Sequence, residues 1–103
     1  MSSHVFDRNT WVARPLFDQL GNIGSEVGRA MNAIRREDDV ALEGAFKRGL
    51  DLIDASADVM PVYRRRELLR ARELFSEAVT DHTVDEKLEA YFMQYAVAAR
   101  AGR

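Results

Sequence analysis

Cysteine is absent from the 103 residues of this chain, and histidine occurs only at His4 and His82. Without cysteine there is no disulfide framework and no thiolate metal site. A di-iron helical bundle needs two Glu-x-x-His pairs, but neither histidine has a glutamate three residues before it. No serine nucleophile elbow and no glycine-rich loop after a strand are present either. We therefore expect no catalytic residue, metal ligand or cofactor, and hence no enzyme.

The chain also lacks a long apolar run and a dominant charge. No uninterrupted apolar segment approaches the ~18 residues that a membrane span needs. The first seven residues have no basic segment followed by an apolar core, so we expect no signal peptide and a cytoplasmic protein without membrane contact. The formal net charge of −2 argues against broad electrostatic attraction to nucleic acid.

Alternation of apolar and polar residues with period two is missing, and apolar residues recur instead at helical spacing. Prolines are scarce, and Pro15 and Pro61 both suit the first turn of a helix. Thr83 and Glu86 have the spacing of a capping box, which predicts that Thr83 caps the last helix. The predicted helices occupy roughly residues 15–36, 37–60, 61–79 and 84–101, with a loop at 80–83.

Four helices of this length, joined by short turns, predict an all-α fold. The expected arrangement is an up-down-up-down four-helix bundle in a single domain. We assign residues 11–103 to the bundle and residues 1–10 to an N-terminal arm.

Three glycines lie on one flank of the apolar stripe of the first helix, at Gly21, Gly24 and Gly28. Each glycine in a helix interior costs about 0.5–1 kcal/mol relative to alanine. Their clustering predicts that another helix packs closely against this flank.

Charge is uneven along the chain. Residues 37–58 carry seven acids against two bases, whereas residues 59–79 carry five arginines against three glutamates. These arginines could contact nucleic-acid phosphates or form ion pairs within the bundle. They are Arg64, Arg65, Arg66, Arg70 and Arg72.

Asp51, Asp54 and Asp58 share one side of the second helix. They could hold a divalent cation through oxygens, although a solvated acidic face is the favoured interpretation. Asp54 also borders the apolar stripe. We therefore expect it to be buried and paired with an arginine, with Arg29 as one candidate.

The last helix is apolar on two opposed faces. We expect one face to line the core, formed by Val84, Leu88, Tyr91, Tyr95 and Ala99. The other face carries Ala90, Met93 and Val97 at spacings of three and four. A contiguous exposed apolar patch usually marks an interface, which predicts a homo-oligomer, most simply a two-fold dimer. In the competing interpretation the N-terminal arm covers this face through Phe6 and Trp11.

Residues 14–20, 22–30, 49–54 and 91–100 resemble segments of small prokaryotic helical-bundle proteins of unknown function. The resemblance spans most of the chain and implies the four-helix-bundle fold without implying any activity. We therefore predict a non-catalytic interaction or assembly module with a protein partner that the sequence does not identify. The alternative is a nucleic-acid-binding accessory protein that uses the arginine-rich third helix.

Overall fold

The computed structural model describes residues 15–101, with side chains through residue 98. Within this range the chain forms four helices and no strand: α1 (Leu16–Arg36), α2 (Asp39–Ala57), α3 (Val62–Asp81) and α4 (Glu86–Ala101). The predicted all-α, up-down-up-down four-helix bundle is confirmed. The predicted arm at residues 1–10 lies outside the described range. No helix in the described part of the chain has the length and apolarity to cross a membrane.

Helix α1 is the element on which both α2 and α4 pack. It lies against α2 on one side and α4 on the other, whereas α3 packs mainly against α2 and scarcely touches α4. The apolar stripe of α1 explains its position, because Ile23, Val27 and Met31 are all fully buried. Each large apolar side chain buried in this way stabilises the fold by about 1.5–3 kcal/mol.

The helix starts follow local sequence signals, with one error in the predictions. Pro15 and Pro61 immediately precede α1 and α3, as expected. Asp38 caps α2 by accepting a 3.0 Å hydrogen bond from the backbone N–H of Ala41. The predicted capping box at residues 83–86 is wrong, because the side chain of Asp85 accepts the 2.9 Å hydrogen bond from the N–H of Leu88. Helix α4 therefore begins at Glu86.

Helices α1 and α3 both end at a non-glycine residue in the left-handed conformation. Glu37 has φ of 56° and His82 has φ of 53°. The residues that follow, Asp38 and Thr83, donate backbone hydrogen bonds of 2.9 and 3.0 Å back to carbonyls in the last turn. These contacts satisfy carbonyls that a helix end leaves free. Helix α3 therefore runs to Asp81, two residues into the predicted loop at residues 80–83.

Candidate interaction site

The open side of the bundle lies between α3 and α4, where an apolar groove follows the seam. We call it the α3–α4 groove. It encloses about 370 Å³. Its lining residues are Glu67, Arg70, Ala71, Leu74, Asp85, Lys87, Leu88 and Tyr91. The floor is made of aliphatic and aromatic surface, and charged side chains stand at the rim.

Close packing of α4 on α1 accounts for the opening on the other side of α4. An ideal Cβ at Gly24 would lie 2.7 Å from the Cβ of Phe92, and one at Gly21 would lie 3.2 Å from the Cα of Ala96. Missing side chains at these glycines therefore let the two helix backbones approach, as predicted. The same expectation is wrong for Gly28, because no described residue of another helix lies within 4 Å of its Cβ position.

Phe92 was not predicted to be a core residue, yet it is fully buried against α1. The predicted inward face of α4 instead divides between two neighbours. Leu88 is buried, whereas Tyr91 and Tyr95 are half-buried and turn towards α3. Ala99 lies beyond the side chains that the structure describes. Consequently α4 buries a face centred on Phe92 and presents its tyrosines to the α3–α4 groove.

A polar cluster closes one end of this groove. Glu67 of α3 accepts hydrogen bonds from the hydroxyls of Tyr91, at 2.5 Å, and Tyr95, at 3.4 Å. Arg64 donates a 2.9 Å hydrogen bond to the Tyr95 hydroxyl and lies 3.9 Å from Glu67. Burial, and then the hydrogen bond to Glu67, raises the pKa of Tyr91 above its usual range. This cluster was not predicted; its sequence signal is the pair of tyrosines four residues apart, since a half-buried hydroxyl needs a partner.

Most of the arginines of α3 make contacts within the chain. Arg64 binds Tyr95, as described above, and the Nε of Arg65 donates a 3.0 Å hydrogen bond to the carbonyl of Ala57. Arg70 pairs with Glu73 at 2.9 Å. Arg66 is exposed.

The fifth arginine of this group binds the aspartate that we expected to be buried. Arg72 donates two hydrogen bonds to Asp54, at 2.8 and 3.3 Å, which links α3 to α2. The prediction of a buried Asp54 is wrong, because 54% of its side chain is exposed. The suggested partner is also wrong, because Arg29 binds Glu26 instead. Asp54 points out over the α2–α3 seam, where a long arginine reaches it from α3.

Among the described residues, Glu26 carries a charge that is mostly buried. Its side chain is 12% exposed and lies between two arginines, with Arg29 at 2.8 Å and Arg48 at 3.1 Å. Both arginines keep more than half of their side-chain surface in solvent. Glu26 therefore ties α1 to α2 through a carboxylate that is nearly enclosed.

The acidic face of α2 does not form a cation site. Asp51 pairs with Lys47 at 3.2 Å, and Asp54 is held by Arg72. Across the described residues, no group of three or more histidine, aspartate or glutamate side chains could hold a metal ion.

The outer face of α4 is placed as the sequence indicated. Met93 is 57% exposed and Val97 is 53% exposed, and Ala90 is exposed beside them. Phe6 and Trp11, which were expected to cover this face in the competing interpretation, lie outside the described residues.

No protein-family model, curated protein or solved structure matches this chain. The resemblance to small prokaryotic helical proteins therefore stays a prediction.

Proposed function

We propose that this chain is a non-catalytic interaction and assembly module, and that it forms a homodimer through the outer face of α4. The observation that carries this proposal is the exposure of Met93 and Val97, which stand one turn apart on the side of α4 that faces away from the bundle. Phe92 already supplies the contact of α4 with α1, so this second apolar face has no role in the core that the described helices form.

A second copy of the chain is the occupant that best suits this surface. Two-fold association places the same patch of each protomer against its equivalent, so a single apolar face serves both sides of the interface. Apolar surface removed from water stabilises such a contact by about 25 cal/mol per Å². Sedimentation equilibrium or light scattering at tens of micromolar protein tests the proposal. We expect a dimer, and a monomer would contradict it.

The alternative is a nucleic-acid-binding accessory protein. It is supported by the exposure of Arg65, Arg66 and Arg70 along α3, although Arg70 already pairs with Glu73. Titration with RNA and DNA at two salt concentrations tests this alternative, because phosphate contacts give an affinity that falls steeply with salt. Binding that is absent, or that does not change with salt, would exclude it.

A further inference from the structure

At the end opposite the polar cluster, the α3–α4 groove continues into a second opening. That opening also encloses about 370 Å³, and the two share Leu74, Asp85 and Lys87. Together they follow α3 from Glu67 to Asp81. At 1.5 Å per residue this stretch is about 21 Å long, close to four helical turns.

The groove combines an apolar floor with an acidic border. Buried or half-buried apolar side chains form the floor: Ala71, Leu74, Ala78, Val84 and Leu88. Five carboxylates border the two openings, against two basic side chains. The carboxylates belong to Glu67, Glu77, Asp81, Asp85 and Glu86, and the basic groups belong to Arg70 and Lys87.

Several of these border charges already form hydrogen bonds or ion pairs within the chain. Glu67 accepts from the two tyrosines, Arg70 pairs with Glu73, and Asp85 caps α4. Glu77, Asp81 and Glu86 are exposed around the second opening, where Lys87 is the sole basic side chain among the described lining residues. The excess of negative charge is therefore concentrated at the end of the groove near residues 77–86.

We propose that the α3–α4 groove binds an amphipathic helix from another protein, one that carries basic residues beside its apolar ridge. A groove between two helices accepts apolar side chains spaced at i, i+3, i+4 and i+7. The acidic border favours lysine and arginine on the flanks of that ridge, and it disfavours an acidic partner. The proposal goes beyond self-association, because it uses a different surface and a different partner.

Two synthetic peptides provide the test. Both are helices of about fourteen residues, which matches the length of the groove. Their leucines follow the i, i+3, i+4, i+7 spacing of an apolar ridge. One carries lysine at the remaining positions and the other carries glutamate. Fluorescence anisotropy measures affinity, and chemical-shift changes identify the surface. We expect the lysine peptide to bind and to shift Leu74 and Leu88, and we expect the glutamate peptide not to bind.

Charge reversal of the border provides the decisive variant. The double variant Glu77→Lys/Asp81→Lys changes two residues near the C-terminal end of α3. The last turn of this helix contains no basic residue. Lysine there complements the helix dipole, so the fold is expected to persist. Affinity for the lysine peptide should fall roughly tenfold, because two attractive charges become repulsive. The matched control is Glu43→Lys/Asp51→Lys on the exposed surface of α2, which changes the net charge equally and should preserve affinity.

Three outcomes would overturn this proposal. Both double variants could weaken binding equally, which would indicate attraction to net charge. An apolar dye could bind at Leu74 and Leu88 while neither peptide does, which would indicate a small-molecule site. The groove signals could instead change with protein concentration alone, which would make it a contact between copies. Met93→Glu should leave peptide affinity unchanged, so failure of the dimer proposal is distinguishable from failure of this one.

Discussion

Gly24 of α1 lies so close to Phe92 of α4 that an added Cβ would be 2.7 Å from the Cβ of the phenylalanine. That atom is bonded to the backbone of α4 and cannot move without displacing the helix. We therefore predict that Gly24→Ala destabilises the protein by about 1–3 kcal/mol through overpacking, despite the better helix propensity of alanine. Urea unfolding followed by circular dichroism measures the change.

Gly28 provides the matched control on the same helix. Among the described residues, none from another helix comes within 4 Å of its Cβ position, so helix propensity alone should act there. Gly28→Ala is expected to stabilise by about 0.5–1 kcal/mol. If Gly24→Ala stabilises the protein as much as Gly28→Ala does, the close approach of α1 and α4 is not a constraint.

This pair of glycines shows how far the sequence leads. Apolar periodicity and the two prolines suffice to predict four helices, and glycine clustering suffices to predict a close helix contact. Gly24 and Gly28, however, are only one turn apart, yet Gly24 contacts Phe92 whereas Gly28 contacts no other helix in the described part of the chain. The crossing point of two helices decides between them, and it depends on the packing of the whole core.

Glu26 and Asp54 should respond differently to loss of their carboxylates. Glu26 is 12% exposed and holds two arginines, whereas the side chain of Asp54 is 54% exposed. Glu26→Ala should destabilise by roughly 1–3 kcal/mol, because two hydrogen-bonded charges lose a nearly buried partner. Asp54→Ala should cost less than about 1 kcal/mol, as for most surface pairs. Equal unfolding free energies for the two variants would contradict this ranking.

The burial of Glu26, and not of Asp54, also has a physical explanation. Both acids border an apolar stripe, so pattern alone does not rank their burial. The long side chains of Arg29 and Arg48 reach over Glu26 from α1 and α2, whereas Asp54 meets Arg72 at the outer edge of the bundle. The α3–α4 groove could not be predicted from the pattern either, because it arises from the unequal packing of α4 on its two neighbours.

The left-handed helix ends at Glu37 and His82 provide a third prediction. Side chains other than glycine are strained in this region of backbone conformation. Glu37→Gly and His82→Gly should each stabilise by about 0.5–1 kcal/mol, measured by thermal or urea unfolding. Glu43→Gly, at an exposed position inside α2, is the control and should destabilise by about 1 kcal/mol. A loss of stability at all three positions would show that the two helix ends carry no such strain.

Tyr91 gives a prediction about alkaline pH. Burial raises its pKa in the folded state, whereas the unfolded chain ionises near the ordinary value of about 10. As the pH rises, the unfolded state therefore loses this proton first. The contribution of Tyr91 to the free energy of unfolding is fully present below pH ~10 and declines as the pH rises further. Tyr91→Phe should lower stability at neutral pH, through loss of the hydrogen bond to Glu67, but should reduce the alkaline decline. Tyr63→Phe, at an exposed site, is the control. Urea unfolding between pH 8 and 11 should show that it keeps the wild-type dependence of the unfolding free energy on pH. If Tyr91→Phe also keeps that dependence, Tyr91 is not the source of the alkaline decline.

The outer face of α4 gives the prediction that bears on assembly. Met93→Glu and Val97→Asp each place a charge on a face that we propose meets a second copy. An unpaired charge in such an apolar contact is strongly unfavourable, so both variants should be monomers at concentrations where the wild type is a dimer. Because both positions are more than half exposed in the protomer, helical content should change little. Sedimentation equilibrium measures the mass, and circular dichroism measures the helical content.

Val40→Glu is the control, because Val40 of α2 is 86% exposed and lies on another helix. It should remain a dimer, since a charge added away from the α4 face does not enter the contact. In the competing interpretation the N-terminal arm covers the same face. Trp11 is the one tryptophan in the chain, so its fluorescence distinguishes an arm on this face from a second copy. If Met93→Glu and Val97→Asp shift the emission of Trp11 to longer wavelength in a protein that is already a monomer, the arm is the occupant and the dimer is excluded. If emission stays constant while the mass halves, the second copy is the occupant.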